Sequence, residues 1–262
     1  MTLKIACIKS DIIARDPEAN DAHLDMIFDK IQDDRDLIVL PETFTTGFPA
    51  EPDLFAEAEN GNTMRWMRDK AAEKNSVVCG SFLTSFRNGY YNTFVWMNPD
   101  GTFQCYDKRH TFSMGGEKEL SNGNELITIK LKDWRIRPFV CYDLRFPVWL
   151  RNNFDNGQFE YDLAIVIANW PMQKSYIWNT LLSARAIENQ AYFIGVNRVG
   201  VDHNNIPYIG ETKVVNAKGR TIAEILDNKE DIIETEIDMD SLVDFRNYFT
   251  VHRDWDDFTV VK

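Results

Sequence analysis

Two short runs of apolar residues constrain the fold of this chain more than any other feature of its sequence. Residues 37–40 (LIVL) and 163–168 (LAIVIA) are apolar throughout and do not alternate with polar residues. A strand with this pattern is buried on both faces, as in a sheet covered by helices. Polar residues or proline follow each run directly. Each run therefore predicts a buried strand that ends at an open sheet edge.

The segments around these runs alternate between helical and extended patterns. Helices are predicted over 17–32, 61–75 and 175–190. Turn sequences at 98–101 (NPDG) and 216–219 (NAKG) predict tight hairpins. Further strands are predicted over 3–8, 77–79, 92–97, 102–106, 127–131, 136–141, 192–196, 212–216, 220–225 and 232–237. This order predicts one α/β domain over 1–262, with mixed sheets that helices cover.

Composition narrows the classes of partner. With 29 basic and 41 acidic residues, the net charge is -12, which repels phosphate backbones, so no nucleic-acid partner is expected. No stretch approaches the roughly 18 apolar residues of a membrane span, and residues 1–8 lack a secretory-signal pattern. The four cysteines show no CxxC pair and no zinc-like spacing. We expect reduced thiols in a cytoplasmic protein without metal or cofactor.

One cysteine stands apart from the other three. The predicted strand 136–141 stops at Cys141, and polar residues follow at once. Backbone N–H groups after such a strand end can face a developing oxyanion. Free cysteines usually pack in cores, which is our interpretation of Cys7, Cys79 and Cys105. Cys141 is therefore the candidate nucleophile.

A nucleophilic cysteine needs a base or a cationic neighbour. Histidine is one source, and His110 and His203 are the two whose positions leave a Cys–His pair open. Glu42 follows the strand 37–40 and a proline, so its carboxylate projects from a strand end, as suits a general base. Lys108 follows the strand 102–106 and opens a long segment without clear periodicity.

Three segments taken together resemble a known family. Residues 40–42 (LPE), 106–112 (YDKRHTF) and 141–147 (CYDLRFP) resemble the signature segments of nitrilase-like carbon–nitrogen hydrolases. Residues 168–171 (ANWP) and 184–192 (ARAIENQAY) are similar to later segments of that family, so the likeness covers nearly the whole chain. The resemblance implies a four-layer α-β-β-α sandwich and a homodimer. The tail over 250–262 can dock on a partner subunit or on its own.

The resemblance also implies a catalytic triad of Glu42, Lys108 and Cys141, with Glu117 as a second glutamate. Glu42 then accepts the thiol proton while Cys141 attacks an amide carbon. Lys108 and the backbone N–H of Tyr142 stabilise the oxyanion.

Within the family, CYDLRFP resembles amidase branches and is most similar to ω-amidases, which remove the terminal amide of 2-oxo dicarboxylic monoamides such as 2-oxoglutaramate. Such a substrate needs a cation for its distal carboxylate, and Arg145 is the candidate; a structural ion pair of Arg145 with Asp143 or Asp162 is the alternative. Thr111 stands where a leucine is commoner. Five aromatic residues are expected to form the pocket wall: Phe44, Phe48, Phe112, Trp170 and Tyr176.

Three other functions stay open at this point. One is an amidase that acts on deaminated glutathione, whose cysteine segment is of the same type. Another is a catalytically silent subunit that serves in binding or assembly. The third is a papain-type hydrolase that uses His110 or His203 in place of Lys108.

Overall fold

The computed structural model describes residues 1–48 and 50–260, apart from the side chain of Arg87. Its helices are α1 (Pro17–Phe28), α2 (Pro52–Phe55), α3 (Asn62–Lys74), α4 (Pro147–Leu150), α5 (Ser175–Asn189) and α6 (Met239–Tyr248). Its strands are β1 (Thr2–Lys9), β2 (Leu37–Val39), β3 (Val77–Arg87), β4 (Gly89–Met97), β5 (Phe103–Asp107), β6 (Ile129–Leu131), β7 (Trp134–Val140), β8 (Phe154–Asp155), β9 (Gln158–Phe159), β10 (Leu163–Ala168), β11 (Tyr192–Asn197), β12 (Val199–Val201), β13 (Pro207–Ile209), β14 (Lys213–Val215), β15 (Thr221–Glu224) and β16 (Asp231–Asp238).

The described strands form two six-stranded sheets and two short hairpins. The first sheet has the order β16-β1-β2-β3-β4-β5, and the second has the order β15-β14-β11-β10-β7-β6. In each sheet the central strands are parallel, namely β1-β2-β3 in the first and β7-β10-β11 in the second. Antiparallel strands flank both centres. The carboxyl ends of the parallel strands therefore open at one edge of each sheet.

Both faces of the first sheet are covered, which explains its apolar strands. Leu3, Ile5 and Cys7 of β1 belong to the core between the two sheets. Ala6 and Ile8 of the same strand belong to a second core beneath α1 and α3. Successive side chains of a strand point to opposite faces. The absence of alternation in the sequence thus reflects burial on two sides.

Helix α5 covers the outer face of the second sheet. Its Trp178 and Leu182 are buried in the main core. They lie so close to β11 that a Cβ on Gly195 would be 2.4 Å from Leu182 Cδ1. Helices, sheet, sheet and helix give four layers, and this confirms the predicted α-β-β-α sandwich.

The structure departs from the predicted elements in several places. Strand β3 continues well beyond residue 79 because it forms a hairpin with β4 along its length. Helix α1 ends at Phe28 rather than at residue 32. Helix α6 was not predicted, although Asp238 caps it by accepting the N–H of Ser241 at 3.0 Å. The segment after β5 is an ordered loop with one 3₁₀ turn, Ser113–Gly115.

The described part of the C-terminal tail docks on its own chain. His252 is buried, with Nδ1 2.9 Å from Gln190 Oε1. The Arg151 guanidinium lies 4.2 Å from the centroid of the Trp255 ring. Residues 261–262 lie outside the described residues. Among the helices that are described, none is long and apolar enough to cross a membrane.

Strand β10 lies at the centre of the second sheet, so a substitution in it measures how much core packing contributes to stability. Ile165 is 0% exposed, whereas Ile222 on the edge strand β15 is 45% exposed. We expect Ile165→Ala to lower the free energy of unfolding by about 2–5 kcal/mol because it leaves a cavity. The matched control Ile222→Ala should cost less than about 1 kcal/mol. Urea unfolding measures both, and equal losses would contradict this description of the core.

Candidate active site

The two sheets bring four polar side chains to one place. Glu42 follows β2 and Lys108 follows β5, so both come from the first sheet. Cys141 follows β7 and Asn169 follows β10, two parallel neighbours of the second sheet. The Sγ atom of Cys141 lies 3.9 Å from the carbonyl oxygen of Asn169. The site therefore forms where strand ends of both sheets meet.

Lys108 is held between two buried carboxylates. Its Nζ donates to Glu42 Oε1 at 2.8 Å and to Glu117 Oε2 and Oε1 at 2.8 and 3.0 Å. All three side chains are buried. Burial lowers the pKa of Lys108, but the carboxylates of Glu117 and Glu42 outweigh burial and leave this pKa above its ordinary value. The ammonium group therefore stays charged at neutral pH.

Two asparagines orient the glutamates. Asn92 Nδ2 donates to Glu42 Oε1 at 2.9 Å and to Glu117 Oε1 at 3.1 Å. The backbone N–H of Asn169 donates to Glu42 Oε2 at 2.7 Å, and its Nδ2 donates to the Glu42 carbonyl at 2.8 Å. Both oxygens of the Glu42 carboxylate are thus held in position.

Sequence reasoning assigned no role to either asparagine. Asn169 was noted only as part of the segment 168–171. Asn92 gave one usable signal, because it lies in the predicted strand 92–97, whose last four residues are all apolar. A buried amide at such a position requires polar partners.

Cys141 has an unusual backbone conformation and a thiol whose pKa is raised. It begins a 3₁₀ turn, Cys141–Arg145, with a φ of 45°, in the left-handed region that non-glycine residues seldom adopt. Burial raises the pKa of its thiol, the Glu42 carboxylate raises it further, and the Lys108 ammonium lowers it; the result lies well above the ordinary value. The thiol is therefore protonated at neutral pH and needs a base during attack.

Asp143 ties the cysteine turn to the segment that carries Lys108. Its buried Oδ2 accepts from the N–H of Val140 at 3.0 Å and from the hydroxyl of Tyr106 at 2.7 Å. Its Oδ1 accepts from the N–H of His110 at 2.9 Å and lies 2.8 Å from His110 Nδ1. Asp143 thus holds the Cys141 turn against the segment that carries Lys108, the other candidate catalytic residue.

A cavity of about 390 Å³ opens onto Cys141. Five of the residues that the sequence analysis named for the site line it, namely Tyr142, Arg145, Phe48, Phe112 and Trp170. The hairpin β12–β13 adds a wall that the sequence did not reveal, with Asp202 at the end of one strand and Tyr208 on the other.

Two predicted wall residues lie elsewhere. Phe44 is 1% exposed and packs against Phe82 and Trp66 on the helix-covered side of the first sheet. Tyr176 is 80% exposed on the outer side of α5. Neither lines the cavity. The sequence shows that these positions are aromatic but does not show which face of their element they occupy.

The ion pair of Arg145 with Asp143 or Asp162, the alternative given above, is not formed in the structure. Asp143 is bonded to His110, and Asp162 is paired with Arg135 and Arg246, so neither forms the alternative ion pair with Arg145.

Neither His110 nor His203 lines the cavity. The ring of His110 stacks on Phe146 at 3.7 Å, and His203 is exposed. Among the described residues that line the cavity there is no histidine. Within that same part of the chain, no cluster of three His, Cys, Asp or Glu side chains could hold a metal ion.

A four-layer sandwich with a cysteine beside a buried lysine and two glutamates defines the class, a hydrolase that acts on carbon–nitrogen bonds. The profile of the carbon–nitrogen hydrolase family matches residues 4–247, and the chain belongs to this family.

Relatives and solved structures agree with this assignment. The chain is 41% identical over 257 residues to omega-amidase YafV of Escherichia coli K12, with 98% of each protein covered. It is 30% identical to 2-oxoglutaramate amidase of Bacillus subtilis 168, covering 97% of this chain and 98% of that one. The structure of XC1258 from Xanthomonas campestris, a CN-hydrolase superfamily protein with an arsenic adduct in its active site, superimposes with a TM-score of 0.97 at 39% identity and 100% coverage of both chains.

The charges around Cys141 predict opposite effects of one substitution on thiol ionisation and on catalysis. Glu42→Gln removes a carboxylate that raises the thiol pKa and leaves Lys108 paired with Glu117. We expect alkylation of Cys141 by iodoacetamide to reach its midpoint at a lower pH than in the unmodified protein, whereas amide hydrolysis slows by about 100-fold or more through loss of the base. Mass spectrometry of the labelled peptide across pH measures the midpoint.

The matched control is Glu119→Gln, which removes one exposed carboxylate and should change neither quantity. A midpoint that rises in Glu42→Gln would contradict the assigned electrostatics.

Proposed function

We propose that this chain is an ω-amidase that hydrolyses the terminal amide of a small 2-oxo dicarboxylic monoamide, such as 2-oxoglutaramate, to the dicarboxylate and ammonia. The observation that carries the proposal is the placement of Cys141 at one cavity with Glu42 and Lys108, which belong to a buried Glu42–Lys108–Glu117 network that acts electrostatically on its thiol. Relatives named omega-amidase and 2-oxoglutaramate amidase support the choice of substrate.

The first half of the reaction forms a thioester. Glu42 accepts the proton of the Cys141 thiol as Sγ attacks the amide carbon. The charge that develops on the carbonyl oxygen is stabilised by the Lys108 ammonium and the backbone N–H of Tyr142, the second residue of the turn. Collapse of the tetrahedral intermediate breaks the carbon–nitrogen bond. Glu42 transfers the proton that it took from Cys141 to the departing nitrogen, which leaves as ammonia.

The second half releases the acid. Glu42 takes a proton from a water molecule, whose oxygen attacks the thioester carbon. The carbon–sulfur bond then breaks, and the proton on Glu42 returns to Cys141. Throughout, Glu117 and Asn92 keep Lys108 and Glu42 in position through the hydrogen bonds described above. Because the pKa of the thiol is raised, the Cys141 thiolate forms only when Glu42 accepts the thiol proton.

The distal carboxylate of the substrate requires a local cation, because a protein of net charge -12 repels anions at long range. Arg145 lines the cavity and has no carboxylate partner among the described residues. We propose it as a ligand of that carboxylate. Phe48, Phe112 and Trp170 contribute the apolar walls.

A substrate comparison tests the proposal directly. The purified chain should release ammonia faster from 2-oxoglutaramate than from a deaminated-glutathione amide, and acid quenching should trap a thioester adduct on Cys141 that mass spectrometry detects. Cys141→Ala should abolish both signals. Preference for the tripeptide-like amide would favour the glutathione-type amidase, and turnover of neither amide would favour a silent binding subunit.

Variants of the basic residues separate this mechanism from a papain-type one. Lys108→Met should lower kcat/KM by about 100- to 1000-fold, because it removes a donor to the oxyanion. His203→Ala should stay within about 3-fold, since this side chain is exposed. The reverse order would contradict the Glu–Lys–Cys assignment.

We also propose that the chain is one domain that forms a homodimer in the cytoplasm. The four cysteines are free thiols, in keeping with a reducing compartment. Phe258 in the tail is 44% exposed, as suits a residue at a subunit contact.

Truncation of the tail provides the test for the dimer. The chain should scatter light as twice the mass of one subunit, and removal of residues 256–262 should weaken the dimer while the docked residues His252 and Trp255 remain in place. A monomeric full-length chain would overturn the proposed dimer. Equal dimerisation of both forms would exclude the tail as the contact.

A further inference from the structure

We infer that Lys174 is a second ligand of the substrate's distal carboxylate and acts with Arg145 as a two-cation site. Lys174 ends a 3₁₀ turn, Met172–Lys174, and lines the same cavity as Cys141 and Arg145. No sequence motif pointed to it. The inference rests on the proposed function, since it specifies which part of an ω-monoamide the cavity recognises.

The pairing of cations in this protein singles out these two side chains. Each buried lysine or arginine among the described residues has a carboxylate within 4.0 Å; these are Lys9, Arg35, Lys74, Lys108, Arg137, Arg185, Arg198, Lys213 and Arg246. Burying a cation without a partner is costly. The fold therefore supplies a partner wherever a cation is fully enclosed.

The half-buried cations extend the comparison. Lys4, Lys70 and Arg135 contact carboxylates. Arg109 and Arg151 donate to the backbone carbonyls of Gly123 and Glu188. Within the described ranges 1–48 and 50–260, Arg145 and Lys174 have neither kind of acceptor for their side chains. Both line the catalytic cavity, so their N–H groups are available to an anionic ligand there.

Aromatic rings hold both cations without using their hydrogen-bond donors. The Arg145 guanidinium lies 4.9 Å from the Trp170 ring centroid, and Lys174 Nζ lies 5.0 Å from the Phe112 ring centroid. Trp170 Nε1 donates to the Lys174 carbonyl at 2.8 Å, which links the two supports. A cation against a ring face is attracted by the ring, yet its N–H groups can still donate elsewhere.

The acidic groups of the cavity do not neutralise this pair. Glu42 is bonded to Lys108 and Asn169. Asp202 accepts the N–H groups of Asn204 and Ile206 at 2.8 and 2.9 Å and the hydroxyl of Tyr208 at 3.0 Å. The carboxylates that reach the cavity are thus already satisfied, whereas two cations are not. A ligand with one carboxylate complements this arrangement.

The functional consequence is selection by charge. An amide whose carbon lies on Cys141 gains binding energy from Arg145 and Lys174 only if its other end carries an anion. The cavity is therefore specific for ω-monoamides of dicarboxylic acids over neutral amides of the same length.

Two nearly isosteric amides test this specificity: succinamate, which is charged, and 4-oxopentanamide, in which a methyl group replaces the anionic oxygen. We expect Lys174→Met to lower kcat/KM for succinamate by about 10- to 100-fold, the range for loss of a hydrogen bond to a charged group. Its effect on 4-oxopentanamide should be smaller than about 2-fold. Lys174→Arg should restore much of the succinamate activity. Lys130→Met, which removes an exposed lysine on β6, is the matched charge control.

The outcomes separate this inference from the proposed function. Equal losses on both amides, or no loss on succinamate, would overturn the role of Lys174 while the amidase assignment stands. If the unmodified protein hydrolysed neither of these amides nor 2-oxoglutaramate, the proposed function would fail. Binding of succinate, measured by calorimetry, would then still test the cation site. Weaker succinate binding in Lys174→Met than in Lys130→Met supports the site, and equal binding overturns it.

Discussion

The active site depends on one buried ammonium group. Lys108 is enclosed together with the carboxylates of Glu42 and Glu117, and taking charged groups out of water costs several kcal/mol each. Contacts of 2.8 Å and the added hydrogen bonds of Asn92 and Asn169 offset that cost. The three charges therefore act as a unit, since each is tolerated only because the others are present.

Burial, together with this unit of charges, raises the pKa of the Cys141 thiol. Two negative charges and one positive charge lie close to Cys141, and the thiol keeps its proton despite the adjacent lysine. Many cysteine enzymes instead hold a preformed thiolate next to a cation. In the mechanism proposed here, Lys108 instead stabilises charge on the oxyanion while Glu42 moves the proton. The protonated thiol also resists oxidation better than a thiolate would.

Much of the site could be proposed from the sequence because three segments resemble a known family. Glu42, Lys108 and Cys141 each stand at or just after the end of a predicted strand, but it was the resemblance of the segments around them that singled them out. The role of Asn92 could not be inferred in this way, because it depends on the order of β2, β3, β4 and β5 in the first sheet. Phe44 and Tyr176 were misplaced for a related reason. The sequence shows that both residues are aromatic, but it does not show which layer of the fold their side chains face. No feature of the sequence points to Lys174. It stands out only in the folded structure, where its side chain has no carboxylate or carbonyl acceptor among the described residues.

The pairing of β1 with β16 determines when, during synthesis of the chain, the first sheet can be completed. Strand β1, near the start of the chain, pairs along its length with β16, from Thr2 opposite Asp238 to Lys9 opposite Asp231. The catalytic groups, moreover, come from both sheets. A nascent chain thus exposes an unpaired β1 edge until more than two hundred further residues have been synthesised. Turnover accordingly requires the chain as far as β16, and the appearance of activity during refolding reports that β1 and β16 have paired.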